Sequence, residues 1–291
     1  MPGHSAIVNA LVFYGYKTPN HPRKWWVHAR LVDLLKPKIE GEHEVARNGL
    51  RLFLTPADFE HRDLFWMGTK DERDIRHLQH ALAGGGVFLD IGANLGFYSL
   101  RLAQALGTAC EIHAFEPHPK TNALLQRHIV ANGFQANVHP HQLGVSDHAG
   151  TARMVQRGDN SGATRLEGGG NSRGSDAFDI TTTTIDAFAD AHDLDRLDAV
   201  KMDVEGFEAH VLRGGRQSIA RWKPTMIVEF WVPGLQAAGS SCEEVASVMR
   251  ELGYRFYHPT WPHAQPCHEL PTGDDPVNLL CVHRDRLSSL P

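Results

Sequence analysis

Acidic side chains stand at the ends of two apolar runs near the middle of the chain. Asp203 and Glu205 follow the strand-like run in "VKMDVEG", and Glu229 lies between Val228 and Phe230 in "TMIVEF". Carboxylates at the ends of neighbouring strands can remove a proton from a substrate hydroxyl as general bases. Three that converge could instead hold a hard divalent cation. We therefore predict catalytic roles for these three acids, with a bound metal as the alternative to a base acting alone.

Several residues in this region, including two of the acids, allow both a functional and a structural interpretation. Lys201 precedes Asp203 by two positions and should share its strand face, where it could orient the acceptor or pair with that acid. Held below the pocket, Lys201 would be structural instead. Asp203 could also only cap the following helix, with Glu205 in solvent. Trp231 could line an acceptor pocket, and packing into the core is equally consistent with its position.

A glycine-containing turn, "DIGANLG", follows the apolar strand "VFLDIG". Gly92 would let the backbone approach a ligand, and Gly96 would let a helix start against the strand. Asn94 tolerates left-handed backbone angles and can occupy a glycine position. Glu116 ends the next strand in "AFEP", about twenty residues on, and is placed to accept hydrogen bonds from ribose hydroxyls. The pattern predicts a nucleotide-like cofactor.

The acid that opens the turn discriminates between two such cofactors. Dinucleotide turns normally have G-x-G-x-x-G, because a pyrophosphate lies against bare backbone and a helix N-terminus. Asp90 would repel a pyrophosphate and would favour the ammonium and sulfonium of S-adenosylmethionine. We therefore expect S-adenosylmethionine, with a nicotinamide-dependent oxidoreductase as the less favoured alternative.

Strands and helices alternate around this turn, which predicts a parallel sheet covered on both faces. The last two apolar runs, "YRFYHP" and "VNLLCVHRD", have no helix between them and should pair antiparallel.

Before the sheet, "KWWVHARLVDLL" has helical spacing, so we expect Trp25, Trp26, Leu31 and Leu34 to cover a neighbouring surface. Residues 157–176 are rich in Gly, Ser and Asn, which indicates either a mobile flap at the site or a passive insertion.

Composition limits the classes of protein. The 291 residues carry 29 Lys and Arg against 34 Asp and Glu, a net charge of -5, which disfavours a nucleic-acid binder. The four cysteines lack zinc-finger spacing and are too few for a disulfide scaffold. The first residues have neither a basic leader nor an apolar run long enough to cross a bilayer. These features predict a cytoplasmic protein without membrane insertion.

Several of these stretches, taken together, resemble the FkbM-type methyltransferases. "FLDIGANLGFYSL", "AFEPHP", "TTTTID", "VKMDVEGFEAHVLRGG" and "PTMIVEF" occur in the order and spacing of that family, over about residues 85–230. The resemblance implies the class I methyltransferase fold, a Rossmann-like α/β sheet of seven mostly parallel strands with the last one antiparallel. It also implies S-adenosylmethionine-dependent O-methylation of a sugar or secondary metabolite.

The residue patterns and the resemblance together predict the domains, the class of acceptor and the cofactor-binding residues. We expect an N-terminal extension over 1–75, acting as a cap or a homodimer contact, and a methyltransferase domain over 76–291. The acceptor would be a small hydroxyl compound of sugar or polyketide type. A catalytically silent cofactor-binding or scaffold protein is the rival from another class. The predicted cofactor-binding residues are Asp90, Gly92, Asn94, Gly96, Phe97, Tyr98, Glu116, Pro117, Gly144 and Asp203.

Overall fold

The structure is a computed structural model that describes residues 5–19, 21, 23–35, 39–68, 71–156, 164–166 and 177–290. The chain divides into two compact units, one up to Glu72 and one from Arg73 onward. The predicted flap over 157–176 lies outside the described residues, apart from a short strand at Thr164–Leu166. Each unit is described by itself below.

The N-terminal unit contains three α-helices and a β-hairpin. The hairpin turns at Asn48 and Gly49, whose φ angles of 52° and 79° suit a tight two-residue turn between antiparallel strands. A π-helical turn over Phe13–Lys17 continues the first helix. The elements are α1 (Ala6–Val12), α2 (Lys24–Leu35), β1 (His43–Arg47), β2 (Leu50–Leu54) and α3 (Phe59–Met67).

Helix α2 forms where the sequence predicts it, but the expected apolar contact face is wrong. Trp25, Trp26 and Leu34 are exposed, whereas Lys24 and His28 are buried. The Lys24 ammonium donates to the Thr18 carbonyl at 2.6 Å, and a ring nitrogen of His28 lies 3.2 Å from the Leu11 carbonyl. These carbonyl contacts turn the polar edge of the helix inward, and its tryptophans therefore face outward.

The second unit is built on one large sheet with the strand order β13-β12-β14-β11-β10-β3-β4-β5. Strands β5, β4, β3, β10 and β11 run parallel to one another, and β14 runs antiparallel to both β11 and β12. The antiparallel pairing of the closing strands is therefore confirmed. The sheet strands are β3 (Gly86–Ile91), β4 (Cys110–Phe115), β5 (Val138–His141), β10 (Ala199–Met202), β11 (Thr225–Phe230), β12 (Tyr254–His258), β13 (Gln265–Pro266) and β14 (Val277–His283).

This is the class I methyltransferase fold, with one addition to the seven expected strands. The extra strand, β13, has only two residues and pairs with the edge of β12. All four residues of β10 are buried, as expected for a central parallel strand covered on both faces. The helices are α4 (Glu72–Ala81), α5 (Phe97–Leu106), α6 (Pro119–Asn132), α7 (Ile185–Ala191), α8 (Glu208–Gly214), α9 (Arg216–Trp222), α10 (Val232–Ala237) and α11 (Cys242–Glu251).

A second, smaller sheet was not predicted. The run "NVHPHQLGV" divides into β5 and the short strand β6 (Gly144–Val145), and β6 leaves the large sheet. It pairs with β9 (Ala177–Thr183), which in turn pairs with β7 (Gly150–Gln156), and β8 (Thr164–Leu166) completes the order β6-β9-β7-β8. The alternation of strands and helices is thus interrupted by a small mixed sheet between β5 and β10.

The order of the strands reverses at β3. Its neighbours are β4, which follows it in sequence, and β10, which returns from the other direction. Ligands of such sheets bind beyond the carboxyl ends of the strands at this reversal. The glycine turn therefore begins at the position where ligands bind in sheets of this topology. Within the described part of the chain, no helix is long and apolar enough to cross a membrane.

Candidate active site

The glycine turn is packed against the neighbouring strand end. Gly92 has a φ of 77°, and a Cβ there would lie 1.8 Å from the backbone oxygen of Asp203. Gly96 has a φ of 86°, and a Cβ there would lie 2.3 Å from the Leu125 side chain on α6. Asn94 has a φ of 51°, as expected. Both glycines are therefore required for close packing within the fold, and the backbone approach of a ligand at Gly92 stays a prediction.

Asp90 is completely buried at the end of β3. Its Oδ2 accepts hydrogen bonds from the backbone nitrogen and hydroxyl of Ser99, at 3.2 and 2.6 Å. Burial raises the pKa of Asp90, and the nearby Lys201 ammonium and these hydrogen bonds oppose the increase. One carboxylate oxygen thus fixes the first turn of α5, which the sequence analysis did not anticipate.

Glu116 lies at the carboxyl end of β4, beside the glycine turn. Its Oε2 accepts from the Asn94 backbone N–H at 3.0 Å, and its Oε1 accepts from the His118 backbone N–H at 2.9 Å. Burial raises the pKa of Glu116 to about 7, although both hydrogen bonds favour the charged form. The acid predicted from its spacing therefore meets the turn and stabilises it.

Lys201 lies among the acids and the turn. Its Nζ donates to the Gly92 carbonyl at 2.9 Å, lies 3.1 Å from Asp203 Oδ2, and is 5.2 Å from the centre of the Tyr98 ring. The lysine side chain is only 6% exposed. Its positive charge lowers the pKa of Glu116 against the effect of burial. The structure thus places Lys201 beneath the site as a bridge between the turn and Asp203.

Tyr98 belongs to a buried polar group that sequence reasoning did not find. Its hydroxyl donates to Asp74 Oδ2 at 3.0 Å, and the Asn278 amide donates to the same oxygen at 2.7 Å. Asp74 lies on α4 and Asn278 begins β14, directly opposite Glu229 in the strand register. These contacts are distant in sequence, and no local pattern marks them. Phe97, at the start of α5, is also buried.

Glu229 is half-buried within a group of acids. Burial raises the pKa of Glu229 well above its ordinary value, and the charges of Asp203, Glu208 and Glu205 raise it further. Lys201 is the cation that opposes this effect. The predicted catalytic acids are therefore brought within electrostatic range of one another.

Glu208 is an acid of this group that the sequence analysis missed. Its Oε1 accepts from the backbone N–H groups of Val204 and Gly206, at 3.1 and 3.3 Å. It thereby holds a turn in which Glu205 has a φ of 56° and Gly206 a φ of 103°. Positive φ is costly for Glu205, so the contacts of Glu208 stabilise an unfavourable backbone. Burial raises the pKa of Glu208 to about 7. The available signal was an acid just after the turn residues of "DVEGFE".

The other predicted residues lie around this centre. A Cβ on Gly144 would lie 2.9 Å from Ile180 and 3.9 Å from Pro117, which makes Gly144 and Pro117 neighbours beside the small sheet. The Trp231 indole donates to the Asp274 carbonyl at 2.9 Å, and a Cβ on Gly234 would meet the same ring at 2.3 Å. The Trp231 ring therefore packs closely against α10.

Two buried acceptor atoms remain available near the turn. Asp90 Oδ1 and Asn94 Oδ1 have no hydrogen-bond partner among the described residues. Buried acceptors normally have donors, so this part of the site fits a ligand rich in N–H or O–H groups. The ammonium and ribose hydroxyls of S-adenosylmethionine are such donors. Among the same residues, no group of three or more His, Cys, Asp or Glu side chains has the arrangement of a metal site.

The comparison with family models identifies the class of protein. Residues 90–256, more than half of the chain, match the methyltransferase FkbM domain. The chain belongs to the FkbM methyltransferase family. The match begins at Asp90 and includes the glycine turn, Lys201 and the acids described above.

Individual relatives match over shorter stretches. The chain is 27% identical over 172 residues to methyltransferase sdnD of Sordaria araneosa, covering 50% of this chain and 66% of the relative. It is 35% identical over 101 residues to 31-O-demethyl-FK506 methyltransferase FkbM of Streptomyces tacrolimicus, covering 34% of this chain and 35% of the relative. The chain thus spans less than two thirds of the length of either relative.

A solved structure of a methyltransferase FkbM from Methylobacillus flagellatus is also similar. The sequence identity is 17% and the TM-score is 0.42, covering 68% of this chain and 44% of that one.

The pH dependence of the free energy of unfolding should show that Glu208 carries a proton in the folded protein. A buried acid with a raised pKa binds a proton that the unfolded chain has released. Stability is therefore lost as pH rises from about 4.5 toward 7. This slope is roughly 1.4 kcal/mol per pH unit for one group. Glu208→Gln mimics the protonated acid and should remove that part of the slope in urea unfolding between pH 5 and pH 8.

Glu208→Ala provides the comparison. It leaves the amides of Val204 and Gly206 without their acceptor, so its free energy of unfolding should lie about 2 kcal/mol below that of Glu208→Gln at both pH 5 and pH 8. Glu251→Gln, at an exposed ion pair with Arg216, is the matched control and should retain the wild-type slope. An unchanged slope in Glu208→Gln would show that Glu208 is charged in the fold.

Proposed function

We propose that the protein transfers the methyl group of S-adenosylmethionine to a hydroxyl oxygen of a small sugar-like or secondary-metabolite acceptor. The observation that best supports this proposal is the position of Lys201, at the point where the strand order of the sheet reverses. It lies between the turn held by Glu116 and the acids around Glu229. The glycine-turn side of this arrangement suits binding of the methyl donor. The side with the acids suits removal of a proton from the acceptor hydroxyl. The name of one relative, 31-O-demethyl-FK506 methyltransferase, supports transfer to oxygen.

On the donor side, the chain offers acceptors of hydrogen bonds. Glu116 Oε1 and Oε2 each accept one backbone N–H and retain capacity for ribose hydroxyls. The unpartnered oxygens of Asp90 and Asn94 suit the ammonium of the methionine moiety. When bound, S-adenosylmethionine supplies a methyl group activated by its sulfonium. The protein's contribution is then to hold the acceptor oxygen in line behind that methyl.

On the acceptor side, Glu229 is favoured as the general base. A base works best when its pKa lies near the working pH, and burial, together with the neighbouring acids, raises the pKa of Glu229. The Asp203 carboxylate lies 3.1 Å from the Lys201 ammonium and is held in that ion pair. Glu205 occupies a strained turn position beside Glu229 and is the second candidate. Asp203 then contributes to the position of the turn.

A silent cofactor-binding protein is the competing proposal. It would share the donor side of the site but would transfer no methyl group. The group of acids around Glu229 favours the enzyme, because Glu229 and Glu208, whose pKa values burial raises, are costly to keep together without a use for those raised values.

Binding of S-adenosylhomocysteine tests the donor side. Glu116→Gln keeps the size of the side chain and an acceptor for the turn, so it is preferable to alanine. Loss of the charged acceptor should weaken binding by roughly 1.5–3 kcal/mol in calorimetry.

A ligand change isolates the ribose contact. The 2′-deoxy analogue of S-adenosylhomocysteine should bind the wild type more weakly than the parent compound, and Glu116→Gln should largely abolish the difference. An equal penalty for the analogue in both proteins would remove Glu116 from the ribose site. Glu111→Gln, an exposed acid on the same strand, is the matched control.

Methyl transfer from labelled S-adenosylmethionine into a panel of sugars and polyketide alcohols tests the acceptor side. The rate should rise with pH through the raised pKa of Glu229, because the base must be deprotonated. Glu229→Gln should lower the rate by about 10²–10⁴-fold and remove this rise, since general-base catalysis is typically worth that much.

Asp203→Asn and Glu205→Gln are assayed beside it, each with and without chelator. Full activity in Glu229→Gln with a large loss in one of these would transfer the role to that acid. Loss of wild-type activity on chelation, with recovery on adding magnesium, would indicate a metal-assisted reaction. Cofactor binding without transfer to any hydroxyl acceptor would favour the silent protein.

A further inference from the structure

An apolar face lies open on the helices of the N-terminal unit. On α2, Trp25 is 49% exposed, Trp26 62% and Leu34 76%. Trp26, Arg30 and Leu34 are spaced four residues apart and therefore form one stripe along the helix. Phe13, directly after α1, is also 62% exposed. Large side chains of this kind in several neighbouring positions mark an interaction surface.

Exposed cations lie in the same segment of the chain as these apolar side chains. The Arg30 guanidinium lies 5.7 Å from the Trp26 ring, and Lys17 and Arg23 are exposed. Residues 1–38 contain six Lys and Arg and one acid, whereas residues 39–291 contain 23 Lys and Arg and 33 acids. An acidic chain thus has a short basic segment at the position of its exposed tryptophans. Such asymmetry is typical of segments that bind anionic surfaces.

We propose that the exposed side of α2, which carries Trp25, Trp26, Arg30 and Leu34, docks the protein onto an anionic phospholipid membrane. Tryptophan places its ring at the level of the lipid headgroups, and Arg and Lys pair with lipid phosphates. A helix with these residues on one exposed face lies in the plane of the interface without crossing the bilayer. The face docks by combining modest apolar burial with attraction between opposite charges.

Charge also decides between this surface and a second copy of the chain. A symmetric dimer brings the same patch of both subunits together. Here that would bring the exposed cations Lys17, Arg23 and Arg30 of one subunit toward those of the other, and like charges repel across an apolar contact. An anionic membrane offers the opposite sign. The homodimer expected from the sequence is therefore disfavoured at this face.

Replacement of Asp33 tests whether membrane binding can be strengthened as well as weakened. It is exposed on the same face, between the stripe and Trp25, where its charge opposes binding to anionic lipid. A charge near such a surface changes affinity by about fivefold. Asp33→Lys changes the charge by two units, and we expect it to strengthen binding by about tenfold or more.

Co-sedimentation of the full chain with lipid vesicles is the test. Vesicles of phosphatidylglycerol and phosphatidylcholine should bind the wild type, and pure phosphatidylcholine vesicles should bind it at least tenfold more weakly. Binding should fall as salt is raised. Trp25→Ser with Trp26→Ser, and separately Arg23→Glu with Arg30→Glu, should each reduce binding by at least tenfold.

Matched controls lie in the other unit. Val130→Ser removes an exposed apolar side chain and Arg255→Glu reverses an exposed charge, and both should bind as wild type. Circular dichroism and cofactor affinity establish that each variant is folded. No binding to anionic vesicles, equal binding to neutral ones, or equal loss in the controls would overturn the proposal. A dimer in size-exclusion chromatography that the tryptophan variants dissolve would overturn it in favour of self-association.

Discussion

The structure depends on one buried cation, Lys201, at the reversal point of the sheet. Its Nζ connects the Gly92 carbonyl to the Asp203 carboxylate, two groups on adjacent strand ends. The backbones meet there so closely that any side chain at position 92 would collide with the Asp203 carbonyl. Packing and charge therefore act on the same contact, since the glycine permits the approach and the ammonium stabilises the oxygens that the approach brings together.

Several acids of the site lie within the field of Lys201. Its charge lowers the pKa values of Asp90, Glu116 and Glu229 against the effect of burial. Burial and the repulsion of neighbouring acids nevertheless keep the pKa of Glu229 well above its ordinary value. The two sides of the site are coupled through Lys201, because the charge state of one acid changes the field at the others. In the proposed methyl transfer, this arrangement provides a base of raised pKa beside a firmly held turn.

The sequence predicted those features that are local in the chain. Hydrophobic periodicity located the strands and helices, the left-handed angle of Asn94 followed from its residue type, and the closing strands paired as expected. Features that depend on distant contacts were not predicted. The contact of Gly92 with Asp203 spans more than a hundred residues, and so does the link between Asp74 and Asn278. The outward tryptophans of α2 were missed because periodicity marks an apolar stripe but does not show which side the fold covers.

Replacement of Lys201 by methionine tests the central role of this cation most directly. Methionine keeps the length of the apolar stem and removes the charge, leaving buried carboxylates without their counterion, which typically costs about 3–5 kcal/mol. We expect the free energy of unfolding to fall by about that amount at pH 8 and by less at pH 5, where more of the acids are protonated. Affinity for S-adenosylhomocysteine should fall with it. A variant as stable as the wild type at pH 8, with unchanged affinity, would contradict the account.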